Sequence, residues 1–167
     1  DRAARFEPGD AMFASRWKLR TVAADTYYTS ITTGFFNHGG LTTTEVYLIK
    51  AECQARMNDV PGAMATLDAV RITRIFLENY TPSSAATAVQ AGKLIQRTKA
   101  NNLILGLAPF ADMRRLNKDS DYAVTLSKSE GGEALTLSPG SHLWTMPFPA
   151  GAIKNPGNGV IQQNVNQ

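Results

Sequence analysis

A chain of 167 residues with 43% hydrophobic content is long enough to bury one sizeable core. Its net charge of +3 carries no basic run beyond Arg114-Arg115, which excludes the basic stripe that nucleic-acid binding requires. One cysteine excludes an internal disulfide, and no apolar run is long enough for a spanning helix.

In chain order, residues 1–40 are the least regular. Pro8-Gly9-Asp10 is a turn signal, Met12 to Val22 shows no clean period, and Tyr27 to Phe36 is rich in Thr, Tyr and Phe, as an extended segment would be. Asn37-His38-Gly39-Gly40 then breaks the chain. Thr42 and Glu45 have the spacing of a capping box at the start of a helix. From there Val46, Ile49, Cys53 and Met57 line one stripe, and Leu48, Ala51 and Ala55 line the other side. Apolar residues on both sides predict a helix sandwiched between neighbours, with Cys53 a buried, inert thiol. Asn58-Asp59 forms a turn, and Pro61 suits the first turn of a second helix. That helix carries Ala63, Leu67 and Val70 on one stripe, with Ala65, Ala69 and Ile72 behind it. Leu41 to Arg74 therefore predicts an antiparallel hairpin of the tetratricopeptide type.

Ser83 or Ser84 is placed to cap a third helix that runs to Gly106. Pro109 opens a short fourth helix with Phe110, Met113 and Leu116, on which Asp112 and Arg115 stand at i,i+3. Residues 117–140 read as loop, with a short strand at Ala134 to Leu137. The prolines beyond Gly140 predict an ordered coil tail with Trp144 and Phe148 packed on helices. The fold class expected is mainly α in a single domain, 1–167: a tetratricopeptide-like hairpin, further helices, long ordered loops and a coil C-terminal tail.

The hairpin carries a resemblance. TEVYLIKAECQARMNDVPGAMATLDAVRITR is similar to the helical hairpin of the SusD/RagB family, in which a Glu-Val-Tyr-Leu-Ile-x-Ala-Glu helix precedes an Ala-x-x-x-Leu-Asn-x-Val-Arg helix. Glu45, Tyr47, Leu48, Ala51, Glu52, Ala63, Leu67, Val70 and Arg71 stand in those places, and Asp68 replaces the Asn. Leu103, Asp112 and Arg115 resemble a second family stretch. Trp144, Pro147, Asn155-Pro156 and Gln163-Asn164 resemble the family's terminal stretch, with Ala152 roughly where a Glu is usual. Arg16-Trp17-Lys18 partly resembles a Trp/Tyr-x-Lys element that leads into the hairpin.

The resemblance implies a C-terminal portion of a longer, lipid-anchored protein at the surface of a bacterial outer membrane. Such a protein binds a nutrient, a glycan above all or a peptide, and passes it to a TonB-dependent (SusC-like) transporter. No cofactor, metal or catalysis is implied. The residues themselves offer no catalytic set: Glu45 and Glu52 lie two helical turns apart, about 10 Å along the axis, which does not suit a glycosidase pair. His38 and His142 have no partner at metal-ligand spacing. The alternative, from the hairpin alone, is a helical scaffold for protein–protein interaction.

Seven of the fourteen aromatic residues fall within the first 36 positions, the loop-like part where binding residues concentrate. Trp17, Tyr28 and Phe36 are the candidate ligand contacts, because sugar C–H faces pack on aromatic rings; alternation turns Tyr27 and Phe35 inward.

Overall fold

The computed structural model describes residues 3–30, 41–103, 108–155, 157 and 159–163. The chain forms two compact units, Asp1–Pro109 and Phe110–Gln167. Among the described residues it is about half helical, with six α-helices and two two-stranded antiparallel sheets. The architecture is therefore mixed, and mainly α describes it only loosely.

The first unit is built on helices α2 (Thr43–Arg56), α3 (Val60–Arg71) and α4 (Ala88–Asn102). Thr42 caps α2: its hydroxyl accepts the Glu45 N–H at 3.1 Å. Asn58 takes a positive φ of 63°, a conformation Asn tolerates, and lets the chain reverse. Asp59 then caps α3 by accepting the Gly62 N–H at 3.0 Å. Thr66 donates to Gln54 across the turn at 2.6 Å, which fixes the antiparallel pairing.

The core consists of Leu48, Ala51 and Ala55 from α2, Ala63, Met64, Leu67 and Val70 from α3, and Ala91 and Ile95 from α4. Alanine on α2 lets both neighbours approach closely. The other stripe of α2 is not covered. Val46 is 49% and Met57 72% exposed, Ile49 is exposed, and Cys53 is an exposed thiol rather than a buried one. Ala65, Ala69 and Ile72 on α3 are exposed too. Both α2 and α3 bury one face, because their neighbours lie on one side.

Helix α4 begins later than Ser83 or Ser84. Its cap is Thr87, which accepts the Gln90 N–H at 3.2 Å, and Ser83 is engaged elsewhere. Its expected end at Gly106 lies outside the described residues.

Ahead of these helices, α1 (Ala11–Arg16) is capped by Asp10, which accepts the N–H groups of Met12 and Phe13. Strands β1 (Trp17–Val22) and β2 (Asp25–Ser30) form a hairpin in register Trp17↔Ser30 to Val22↔Asp25. The stretch Met12 to Val22, which shows no period, thus divides into a helical turn and a strand.

In the second unit, the segment 117–140 is not all loop. Strands β3 (Leu126–Glu130) and β4 (Glu133–Leu137) pair through Gly131-Gly132, both at positive φ, the two-residue turn that a hairpin's twist favours. Helix α5 (Ala108–Leu116) carries the Asp112–Arg115 ion pair at 3.1 Å. Trp144 is buried, its ring 5.8 Å from Phe110 and its Nε1 donating to the Ser138 carbonyl at 2.8 Å. Phe148, by contrast, is exposed; Gln163 holds it by the backbone, donating to its carbonyl at 3.1 Å and accepting its N–H at 2.9 Å. The tail also includes a short helix, α6 (Ala150–Lys154), which proline at its start permits.

Candidate functional site: an aromatic hairpin face and an arginine cluster

Residues directly opposite in an antiparallel pair share a face, and every second residue follows them. The register therefore puts Trp17 and Leu19 on one side of the β1–β2 hairpin with Tyr28 and Ser30. Trp17 and Tyr28 are diagonal neighbours there. Tyr28 is 43% exposed and meets the ring of Phe13 edge-on at 5.1 Å; Phe13 in turn lies 4.9 Å from Phe6. Trp17 is half-buried. Two of the three candidate ligand residues thus belong to one aromatic row with Phe13 behind it. Phe36, the third, and Phe35 lie outside the described residues. Tyr27 is not turned inward: it is 45% exposed, on the hairpin's other face with Lys18 and Arg20. A two-stranded ribbon lacks the second layer that would give alternation an inside.

Deeper in the first unit, Arg71 gathers three parts of the chain. Its Nε and Nη2 donate to Glu7 Oε2 at 3.1 and 2.7 Å. Its Nη1 faces Asp68, the Ser83 hydroxyl at 2.9 Å and the Thr81 carbonyl at 3.0 Å. Tyr80 lies under the guanidinium, 5.5 Å from its ring centroid. Glu7 also pairs with Arg97 of α4, and Asp68 accepts the Ser83 N–H and hydroxyl. Burial lowers the Arg71 pKa, but the hydrogen bonds and charges of Glu7 and Asp68 outweigh it and hold the pKa above its ordinary value. Ser83 therefore belongs to this cluster, which is why it does not cap α4.

Glu52, in place of a catalytic partner for Glu45, ties helices together. It is 7% exposed, accepting from Arg56 at 2.9 Å on its own helix and from Gln96 of α4 at 2.6 Å. Among the described residues no group of three or more His, Cys, Asp and Glu could hold a metal ion, and no helix is long and apolar enough to cross a membrane. Nothing local in the sequence marks Glu7 and Arg97, an ion pair 90 residues apart.

Compared with family models, with curated proteins and with solved structures, the chain matches none.

Proposed function

We propose that this chain is a SusD/RagB-type binding protein, which captures a nutrient, most readily a glycan, at the outer-membrane surface and delivers it to a TonB-dependent transporter without chemical change. The reading rests on the hairpin motif, and one observation supports it above the rest. The motif's positions have distinct physical roles in this chain. Leu48, Ala51, Ala63, Leu67 and Val70 are core, Glu52 clamps α2 to α4, and Arg71 anchors Glu7, Asp68, Thr81 and Ser83. On this reading α2 and α3 are one tetratricopeptide-like pair, and the aromatic row of Trp17, Tyr28 and Phe13 is where a sugar ring would stack.

The test is isolation from outer membranes under conditions that preserve peripheral complexes. Recovery with a β-barrel transporter, together with return of any bound oligosaccharide intact, is the expected result. Recovery without a transporter, or hydrolysis of the ligand, would overturn it.

The exposed stripe of Val46, Ile49 and Met57 favours a second reading, a helical scaffold that binds another protein. If it holds, Ile49→Ser will release a protein partner while leaving glycan binding untouched.

A further inference from the structure

A cleft in the first unit is walled by α3 and α4 and has a volume of about 170 Å³. Helix α3 contributes Leu67 and Arg71, one turn apart, and α4 contributes Leu94 and Arg97, also one turn apart. Ser83 and Ser84 border it where the chain approaches α4, and Glu7 borders it from the N-terminal segment. A cavity of about 150 Å³ admits a benzene-sized molecule, so this space suits a small organic solute rather than a lone water.

Most polar groups there are committed, and the exceptions line the cleft. Arg71 spends Nε and Nη2 on Glu7, and Nη1 on Asp68, Ser83 and Thr81. Among the described residues Arg97 bonds only through Nη2, to Glu7 Oε1, and its side chain is 43% exposed. A guanidinium has two edges that each present a pair of N–H groups, and Nη2 supplies one N–H to each edge. Engaging one of these leaves the other edge whole, in the fork geometry that takes a carboxylate by two hydrogen bonds. The Ser84 hydroxyl makes no hydrogen bond among the described residues. Glu7 receives two hydrogen bonds on Oε2 and one on Oε1. A carboxylate has about four acceptor sites, so Oε1 can accept once more.

These open groups select a ligand by charge. The cations Arg71 and Arg97 are matched by the carboxylates Glu7 and Asp68. A bare anion or a bare cation would upset that balance in a partly dry space, whereas a zwitterion preserves it. A ligand that uses every open group has a carboxylate for Arg97 and Ser84, an ammonium for Glu7, and an aliphatic group for the apolar surface of Leu67 and Leu94.

We propose that this cleft binds a small zwitterion, an α-amino acid with an aliphatic side chain, with Arg97 and Ser84 on its carboxylate and Glu7 on its ammonium. This goes beyond the nutrient-binding reading and stands whether or not that reading does.

The experiment is calorimetric titration of the whole chain with leucine and with three analogues that each lack one feature. Leucine amide lacks the carboxylate, N-acetylleucine the ammonium, and glycine the side chain; glucose serves as a neutral polyol. Leucine is expected to bind one to one, and each analogue about tenfold or more weaker, through loss of a charge-assisted contact or of apolar burial. Arg97→Lys keeps a charge facing Glu7 but not the fork, and should weaken leucine about tenfold. Ser84→Ala removes a hydroxyl that the fold does not use, so it should melt with the wild type and bind leucine about two- to tenfold more weakly. Arg114→Gln, in the second unit, should match the wild type. If Arg97→Lys does not fold, Ser84→Ala and the analogues carry the test. No saturable binding of leucine, an analogue or glucose binding as tightly as leucine, or wild-type affinity in either folded cleft variant would overturn the proposal.

Discussion

Glu7 Oε2 receives two hydrogen bonds from Arg71, from Nε at 3.1 Å and Nη2 at 2.7 Å, across 64 positions of sequence. This pair, with side chains 19% and 10% exposed, joins the N-terminal segment to the last turn of α3. The other Glu7 oxygen pairs with Arg97 of α4, so one carboxylate holds three elements.

Arg71→Ala should therefore cost about 3–5 kcal/mol, because Glu7 and Asp68 lose the cation that compensates their partial burial. A double-mutant cycle with Glu7→Gln, read by denaturant unfolding, should return a coupling of about 0.5–3 kcal/mol. Coupling near zero would show that the pair does not join these elements in solution.

Asp68→Asn keeps the shape of the side chain but removes its charge. The Asp68 carboxylate accepts the Ser83 N–H at 2.8 Å as well as facing Arg71, so the change should destabilise by about 1–3 kcal/mol. A neutral outcome in the same unfolding assay would mean that an amide serves the cluster equally well.

Gly9 is where the N-terminal segment turns to meet α3. Its φ is +75°, its carbonyl accepts the Phe76 N–H at 2.9 Å, and a Cβ there would lie 2.5 Å from Asn79 Oδ1. Gly9→Ala combines left-handed strain with a clash and should cost about 1–3 kcal/mol. Because Glu7 is two residues away, the loss should shrink in an Arg71→Ala background.

Leu67 is 1% exposed in the core, and Leu67→Ala should cost about 2–5 kcal/mol. Val46→Ala, on the open stripe of α2, should stay within about 0.5 kcal/mol. The same geometry predicts that Cys53 reacts with a thiol reagent in the folded protein, at a rate close to that in denaturant. Protection of Cys53 in the native state would show that this stripe is covered.

The hairpin was legible because caps and turn residues act locally. Thr42, Asn58, Asp59 and Pro61 each mark a boundary through chemistry confined to a few neighbours, and Leu48, Ala51, Leu67 and Val70 are core as their spacing indicates. Which stripe of α2 is buried was not legible. Both stripes are apolar, and the choice depends on α3 and α4 approaching the small-residue side, a tertiary fact that periodicity does not contain. Cys53 lies on the open stripe, not in the core, for the same reason.

The two strand hairpins differ in what they disclose. Gly131-Gly132 is a turn signal, hidden only by the polar residues around it. The β1–β2 turn is made by Ala23 at φ 53°, a conformation rarely taken by alanine, and no residue type announces it. Of the candidate site, Trp17 and Tyr28 were found by composition, yet that they share a face follows only from the register this turn sets. The Arg71 cluster joins residues too distant in sequence for any spacing rule.

The most direct test of the central claim is ligand affinity per folded molecule. The protein would be screened against neutral and acidic oligosaccharides and peptides, and the best ligand titrated into wild type, Trp17→Ala and Tyr28→Ala by calorimetry, with melting temperatures measured alongside. The account predicts that an oligosaccharide binds and that both substitutions weaken it while the melting temperature changes little. A fall in stability with unchanged affinity per folded molecule would contradict it, and would make the aromatic row of Trp17 and Tyr28 packing rather than a binding face.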